Sequence, residues 1–466
     1  MTQHGAVEIR GRDRVPLSPI DEGRFGRMFR RLPPLELPEA DLVALAATMR
    51  EPEAAGGWNG VVQNFDNPGI PAGYTYLGQF IDHDITFDPA SLSERRDDPD
   101  AIHSFRSPRF DLDSVYGSGP VDEPFQYDRA QRGRLLIDQT PSGERDLPRN
   151  SQGIAVTGDP RNDENTIVSQ LHLLFLRLHN RIAEQVEAEP DVPAERRFEE
   201  TQKRTRWVYQ WIVVHDYLRR LVGDELVDSL LMREPDTGQL VVRRRFYLPR
   251  KNAYMPLEFS VAVFRFGHSM IRGIYNLNAV VRDRPIFALG DNVGPTDDLR
   301  GNKVLPAQWT IDWNEFFALP GANAQPSRLI DSKLVPALFD LPGAAPHPEE
   351  EQLAFRNLVR GRLLKLPSGQ DVARFMELAP LPGEQLGAPE PTPLWFYVLK
   401  EAEIQQQGLR LGAVGGRIIA EVLLGLLDLD KHSWIHIEPD WDASRVIPDS
   451  DGDAKVTMSD LIAFVA

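Results

Sequence analysis

The sequence predicts an all-α fold, mainly helical with long loops and arranged as a single domain, and three observations carry that expectation. Apolar residues recur at helical spacing over several long stretches, strand-type alternation is scarce, and Pro- and Gly-rich irregular segments separate the periodic ones. At 466 residues the chain can bury a large core, and neither an internal repeat nor a true linker divides it.

Composition excludes several classes of function. The 52 basic and 69 acidic residues leave a net charge of −17, so no basic field favours nucleic acid or an anionic membrane. Cysteine is absent, which removes disulfides, thiolate catalysis, iron–sulfur clusters and Cys-based zinc sites together. Residues 1–14 hold no apolar core of signal-peptide length, and the longest apolar stretch, 418–429, is too interrupted to span a bilayer. The expectation is a soluble protein, cytoplasmic or secreted by a non-classical route.

In chain order, residues 1–70 read as an N-terminal arm laid over a core of residues 71–466, with one helical pattern at 39–49. Residues 78–87 follow, an ionisable trio inside an apolar decade. On a helix Gln79, Asp82 and His83 share one face, while Leu77, Phe80, Ile81 and Ile85 cover the other. Asp84 then falls among the apolar positions, where a carboxylate is expensive to bury unless a cation or hydrogen-bond network meets it. A short acidic surface turn with one solvated histidine is the plainer alternative.

Residues 92–106 read as a solvated loop. In the next loop, Ser107, Asp111 and Asp113 alternate oxygen-bearing side chains with others, a pattern that suits a hard cation such as calcium but also occurs in ordinary acidic turns. Residues 161–186 form the best helical pattern, with Ile167, Leu171, Leu174, Leu178 and Ile182 on one face. Arg161 and Glu164 stand at its start, readable as an exposed salt-bridging end, and His172 and His179 read as packing or surface histidines. A second pattern, 200–221, holds Trp207, Tyr209, Trp211, His215 and Tyr217, expected mostly in the core. A third, 254–278, places Gly267 before His268 in a nearly apolar helix; the missing side chain would let something flat approach, though a core histidine is the commoner case. Further on, 350–364 is amphipathic and groups Asn357, Arg360 and Arg362, 366–393 looks irregular, and helices resume over 394–429.

Five blocks together resemble one family. They are Gln79 to Asp84, the loop ending in Val115, Tyr116, Gly117 and Ser118, the run from Gly158 through Arg161 and Glu164 into Leu178–Ile182, Arg265 to His268, and Asn357 to Arg362. In this order they are similar to the signature of the animal-type haem peroxidases, the peroxidase–cyclooxygenase superfamily to which myeloperoxidase and lactoperoxidase belong. The similarity spans about residues 70–365.

The resemblance implies a haem-dependent peroxidase that reduces hydrogen peroxide through a ferryl porphyrin-radical state and then oxidises bromide, iodide, thiocyanate or small phenols. It assigns His83 as distal histidine, Gln79 as the distal glutamine that holds water or halide, and Arg161 as distal arginine. His268 becomes the axial ligand of the haem iron with Asn357 as its partner, and Arg265 and Arg360 lie near the propionates. Asp82 and Glu164 match carboxylates that can form esters with haem methyl groups. Asp84, Ser107, the Arg109 carbonyl, Asp111 and Asp113 match a calcium site, which would meet the need of Asp84 for a cation.

Departures also count. Asn165 stands where some members carry a methionine bonded to haem, so that link is excluded and chloride becomes a less favoured donor. Asp113 replaces a frequent serine. The absence of cysteine suggests a bacterial-style monomer. Fatty-acid dioxygenases of the superfamily use a tyrosine three residues before the axial histidine, where this chain has Arg265. A non-enzymatic alternative comes from residues 449–460, whose acidic spacing resembles half an EF-hand, although a solvated turn before a last helix explains it more simply.

Overall fold

The computed structural model describes residues 25–52, 65–87, 106–250, 252–288, 293–343, 347–450, 452 and 455–466. Its architecture is helical, and strand is confined, among the described residues, to five two-stranded ladders. The helices that position the site are α1 (Glu39–Thr48), α2 (Gly73–Ile85), α3 (Thr166–Ala188), α4 (Arg197–Ile212), α5 (Leu353–Leu363), α6 (Leu394–Gln406), α7 (Ala413–Leu429) and α8 (Met458–Val465).

α3 forms where the apolar period predicted it, with Ile167, Leu171, Leu174, Leu178 and Ile182 all buried. Asn165 caps it by accepting the Val168 N–H at 2.9 Å, which satisfies one of the amides a helix start leaves orphaned. It packs on α2 and α4. At the first contact Phe80 and Phe175 stack with centroids 4.6 Å apart and planes 7° from parallel. Each ring buried here contributes about 2 kcal/mol by removing apolar surface from water.

α4 continues into a π-helical segment, Val213–Leu218, and then one more α turn, Arg219–Val222. Trp207, Tyr209 and Tyr217 from this run are buried as expected, whereas Trp211 and His215 are half-buried.

The continuous helix expected over 254–278 does not form. Met255–Pro256 pairs in parallel with Phe25–Gly26, a π turn spans Glu258–Ala262, and a 3-10 segment, Val263–His268, ends the run. Apolar residues on every side give such a run no period to enforce one helical pitch, so tertiary contacts chose it. Glu258 is one such contact, fully buried and accepting the Met28 and Phe29 amides at 3.1 Å each.

Residues 366–393 are also more ordered than expected, with short helices at Gly369–Phe375 and Gly383–Leu386. The first is capped by Ser368, whose oxygen accepts from Asp371 N at 3.1 Å. In the arm, α1 packs on α5, and Arg27 donates to the Leu364 and Lys365 carbonyls just beyond it. Residues 1–24 lie outside the described residues, as do 88–105, which hold most of the loop expected at 92–106.

At the tail, Asp460 is consumed by a capping box with Thr457 and by the Ser450 amide and hydroxyl at 2.7 and 2.6 Å. The carboxylate that would end an EF-like loop is thus spent on starting α8; Asp451, Asp453 and Ala454 of that loop lie outside the described residues. No helix among the described residues is long and apolar enough to cross a membrane.

Candidate active site

A cavity of about 670 Å³ opens between α2, the turn before α3, the Val263–His268 segment and α5. That volume suits a cofactor-sized ligand. Gln79, Asp82, His83, Arg161, Glu164, Arg265, His268 and Arg360 all line it, and Asn357 stands behind His268. Residues spread over nearly three hundred positions of sequence therefore meet at one space.

On one wall, α2 presents Gln79, Asp82 and His83 at the helical spacing read from sequence. His83 is buried, with Nδ1 2.9 Å from Asn162 Oδ1 and Nε2 3.5 Å from Glu164 Oε1. Gln79 is held at both ends of its amide: Asn165 Nδ2 donates to its Oε1 at 3.1 Å, and its Nε2 donates to Glu164. Burial alone would raise Glu164, but its interactions with His83, Arg161 and Gln79 outweigh it and hold the carboxyl below its ordinary range. Asp82 accepts from Thr86 Oγ at 3.1 Å.

Arg161 comes from the short Pro160–Asp163 turn. Asp159, fully buried, accepts from the Arg161 amide, Nε and Nη2 at 2.9, 3.0 and 2.8 Å, and Arg106 Nη2 reaches the same carboxylate at 2.9 Å. Arg161 Nη2 also donates to the His83 carbonyl at 3.0 Å, and the guanidinium lies over the Phe87 ring at 4.7 Å. The arginine is thus tied to the end of α2 rather than free to swing. Asp159 was not among the residues singled out from the sequence; the Asp-Pro-Arg turn was its available signal.

The opposite wall carries His268 at the end of the 3-10 segment, with Nδ1 2.9 Å from Asn357 Nδ2, while Asn357 Oδ1 is buried without a partner among the described residues. Turning that amide would bring Oδ1 to Nδ1 and leave Nε2 bare toward the cavity. Burial, then the charges of Arg265 and Arg360, push this imidazole down to about 3, so it is neutral and keeps a lone pair for a metal. Beside it, a Cβ added at Gly267 would meet nothing within 4 Å, which is the open space that a flat group needs. Arg265 Nε is buried with no hydrogen-bond partner among the described residues, a donor left waiting for an acceptor. Arg362, grouped with Arg360 in sequence, instead turns to the arm and donates to Glu39 and the Leu37 carbonyl.

Behind α2, ligand oxygens of Asp84, Asp111 and Asp113 lie within 4.8 Å of one another. Burial and mutual repulsion raise Asp84, and the same causes push Asp113 up to about 8, so the cluster demands positive charge to stay ionised. Ser107 Oγ donates to Asp111 at 2.8 Å, and the Arg109 amide donates to the Ser107 carbonyl at 2.8 Å. Leu112, left-handed at φ 56°, turns the chain between the two aspartates while its amide donates to Asp84 at 3.3 Å. Gly158 seals this loop onto the turn that bears Arg161: an added Cβ would lie 2.5 Å from the Asp113 carbonyl oxygen.

His172 and His179 are both buried, and neither is a bare packing group. His172 Nδ1 is 2.9 Å from Asn162 Nδ2, one bond behind His83, while His179 joins Tyr116 to Gly133. Nothing in their sequence spacing separates them from core histidines.

A helical cavity with a neutral histidine on one wall and a histidine–arginine pair on the other defines a haem-pocket class of site. The chain belongs to the animal haem peroxidase family, whose sequence profile matches residues 95–383. Haem is that family's cofactor, and the open Gly267 flank, the neutral His268 and the unpartnered Arg265 Nε fit it. Among relatives, the chain is 27% identical over 264 residues to chorion peroxidase of Aedes aegypti, covering 54% of this chain and 31% of that one. It is 25% identical over 415 residues to thyroid peroxidase of Rattus norvegicus, covering 78% and 42%. The chain thus spans less than half the length of these relatives.

Solved structures agree on the fold. Peroxidase A of Dictyostelium discoideum superposes with a TM-score of 0.66 at 16% identity, covering 94% of this chain and 92% of that one. A fatty acid alpha-dioxygenase of Arabidopsis thaliana gives 0.56 at 17% identity, covering 88% and 73%.

Proposed function

We propose that this chain is a haem peroxidase that reduces hydrogen peroxide and oxidises small donors, with bromide, iodide, thiocyanate and phenols as the donor class. The observation that carries the reading is the single cavity shared by His83, Gln79 and Arg161 on one side and His268 on the other. Haem, when bound, supplies the redox centre. Everything else is the work of this chain's side chains.

His268 would hold the iron. Asn357, a neutral partner, makes that imidazole less electron-rich than a carboxylate would, which favours an oxidising centre. His83 takes a proton from peroxide at Nε2 and returns it to the leaving oxygen, general base and then general acid. Arg161, fixed by Asp159, places permanent positive charge where negative charge develops as the O–O bond breaks. Gln79, clamped by Asn165, orients a water or anion beside His83. Arg265 and Arg360 would pair with the haem propionates, and Asp82 and Glu164 would be the carboxylates available for ester bonds. Asp84, Ser107, the Arg109 carbonyl, Asp111 and Asp113 would hold calcium, which would anchor α2 from behind.

The dioxygenase reading is disfavoured because an arginine, which cannot carry a tyrosyl radical, stands three residues before His268. The test is an absorption spectrum of haem-supplemented protein, before and after one equivalent of hydrogen peroxide and again after bromide or thiocyanate. We expect a Soret band that changes with peroxide and returns with the anion. A Soret band indifferent to peroxide would refute the reading.

A further inference from the structure

We infer that His172, acting through Asn162, is a positioning residue that fixes which nitrogen of His83 carries its proton. The inference rests on the reading of His83 as the base and adds a cause for its competence. A neutral histidine has two tautomers, and only the one with a bare Nε2 can take a proton from a ligand in the cavity.

Three buried side chains make a directional line. His83, Asn162 and His172 are 3%, 0% and 1% exposed, so the two bonds that join them are shielded from water. Asn162 Oδ1 faces His83 Nδ1 at 2.9 Å, and Asn162 Nδ2 faces His172 Nδ1 at 2.9 Å. An amide has one accepting and one donating end, so the two bonds are not independent. His172 Nδ1 accepts the Asn162 N–H; the amide oxygen is thereby turned to His83; and that oxygen can only accept, so His83 carries its proton on Nδ1. Nε2 is left bare toward the cavity and Glu164.

The opposite polarity would need the Nδ1–H tautomer of His172 and a turned Asn162 amide, whereas here Asn162 presents Nδ2 to His172 and Oδ1 to His83. Burial pushes His172 down to about 3, so the ring is neutral and its Nδ1 can accept. The ring is also held against rotation, edge-on to Phe80 with centroids 6.2 Å apart. Phe80 and Phe175 then fix α2 against α3, so the three polar groups share one rigid frame.

The test uses ferric holoenzyme and cyanide, because hydrogen cyanide must give up its proton to a base as the anion binds iron. Stopped-flow association is compared in wild type, His172→Phe, His172→Gln, Asn162→Ala and His83→Gln. The tautomer of His83 is read separately from ¹⁵N shifts in the diamagnetic ferrous carbonyl form. We expect His172→Phe and Asn162→Ala to slow cyanide association at least roughly tenfold and to lose the Nδ1–H tautomer. His172→Gln, whose amide oxygen can accept from Asn162, should restore both. If His172→Phe does not take up haem, Asn162→Ala decides, since it cuts the line without touching His172. An unchanged rate and tautomer in these variants, with His83→Gln slowed, overturns this inference alone. An unslowed His83→Gln overturns the base reading, and this inference with it.

Discussion

On the proposed reading, Asp82 and Glu164 would govern how firmly haem is kept. Both line the cavity, and Glu164 is nearly half exposed there despite its bonds to Gln79 and proximity to His83. If each forms an ester, haem in wild-type holoenzyme should resist extraction by acidified organic solvent, while the Asp82→Val, Glu164→Gln double variant should release it. Equal extraction from both proteins would sink the covalent reading. At this scale, residues bearing unusual chemistry were legible: the apolar surroundings of Asp84 announced a buried charge, and the structure places it at 0% exposure beside Asp111 and Asp113. Residues that act through others were not. Asn162 and Asp159 look like any polar residue beside a helix start, His172 looks like any histidine within a helix, and only the side chains they meet give them a role.

Helix docking supplies the next prediction. His179 ties α3 to the Asp113–Tyr116 turn: Nδ1 accepts from the Tyr116 hydroxyl at 2.9 Å and Nε2 donates to the Gly133 carbonyl at 2.8 Å. The Tyr116 bond needs a bare Nδ1 and so a neutral imidazole, and burial pushes the group down to about 4. An unfolded histidine titrates near 6.5, so between about pH 6.5 and pH 4 the unfolded chain binds the extra proton and stability is lost as pH falls. The contribution has a slope of at most about 1.4 kcal/mol per pH unit. His179→Gln should lower stability at pH 7.5 yet show a shallower loss down to pH 5, measured by urea unfolding across that range. An equally steep acid limb would refute the assignment. Elements with one apolar face, α3 above all, were legible because only one pitch aligns that face. The π and 3-10 turns leading to His268 were not, because an all-apolar run carries no phase.

Across the whole molecule, the acidic cluster behind α2 links to the cavity through a short chain of contacts. Arg106 spans Asp113 at 3.3 Å and Asp159 at 2.9 Å, and Asp159 holds Arg161. If calcium fills this cluster as proposed, its removal should loosen both α2 and Arg161. Asp84→Ala should weaken calcium binding by equilibrium dialysis and lower peroxidase activity. Chelation of wild type should lower its thermal midpoint, since a cation present at 100 times its Kd contributes about 2.7 kcal/mol. Full activity and an unchanged midpoint in calcium-free protein would exclude this coupling.

The sequence by itself determined the helical class, the faces of α2 and α3, and the family, through five ordered blocks whose residue types are dictated by chemistry. Those signals are local: a helical period, a side-chain type at a fixed offset, a carboxylate among apolar neighbours. Tertiary structure alone decided that the blocks face one cavity, that His268 follows a π turn and a 3-10 segment, and that a buried amide joins His172 to His83. Hydrogen-bond direction and cavity shape depend on atoms brought together from distant positions, and a one-dimensional pattern does not encode which partner each buried polar atom will meet.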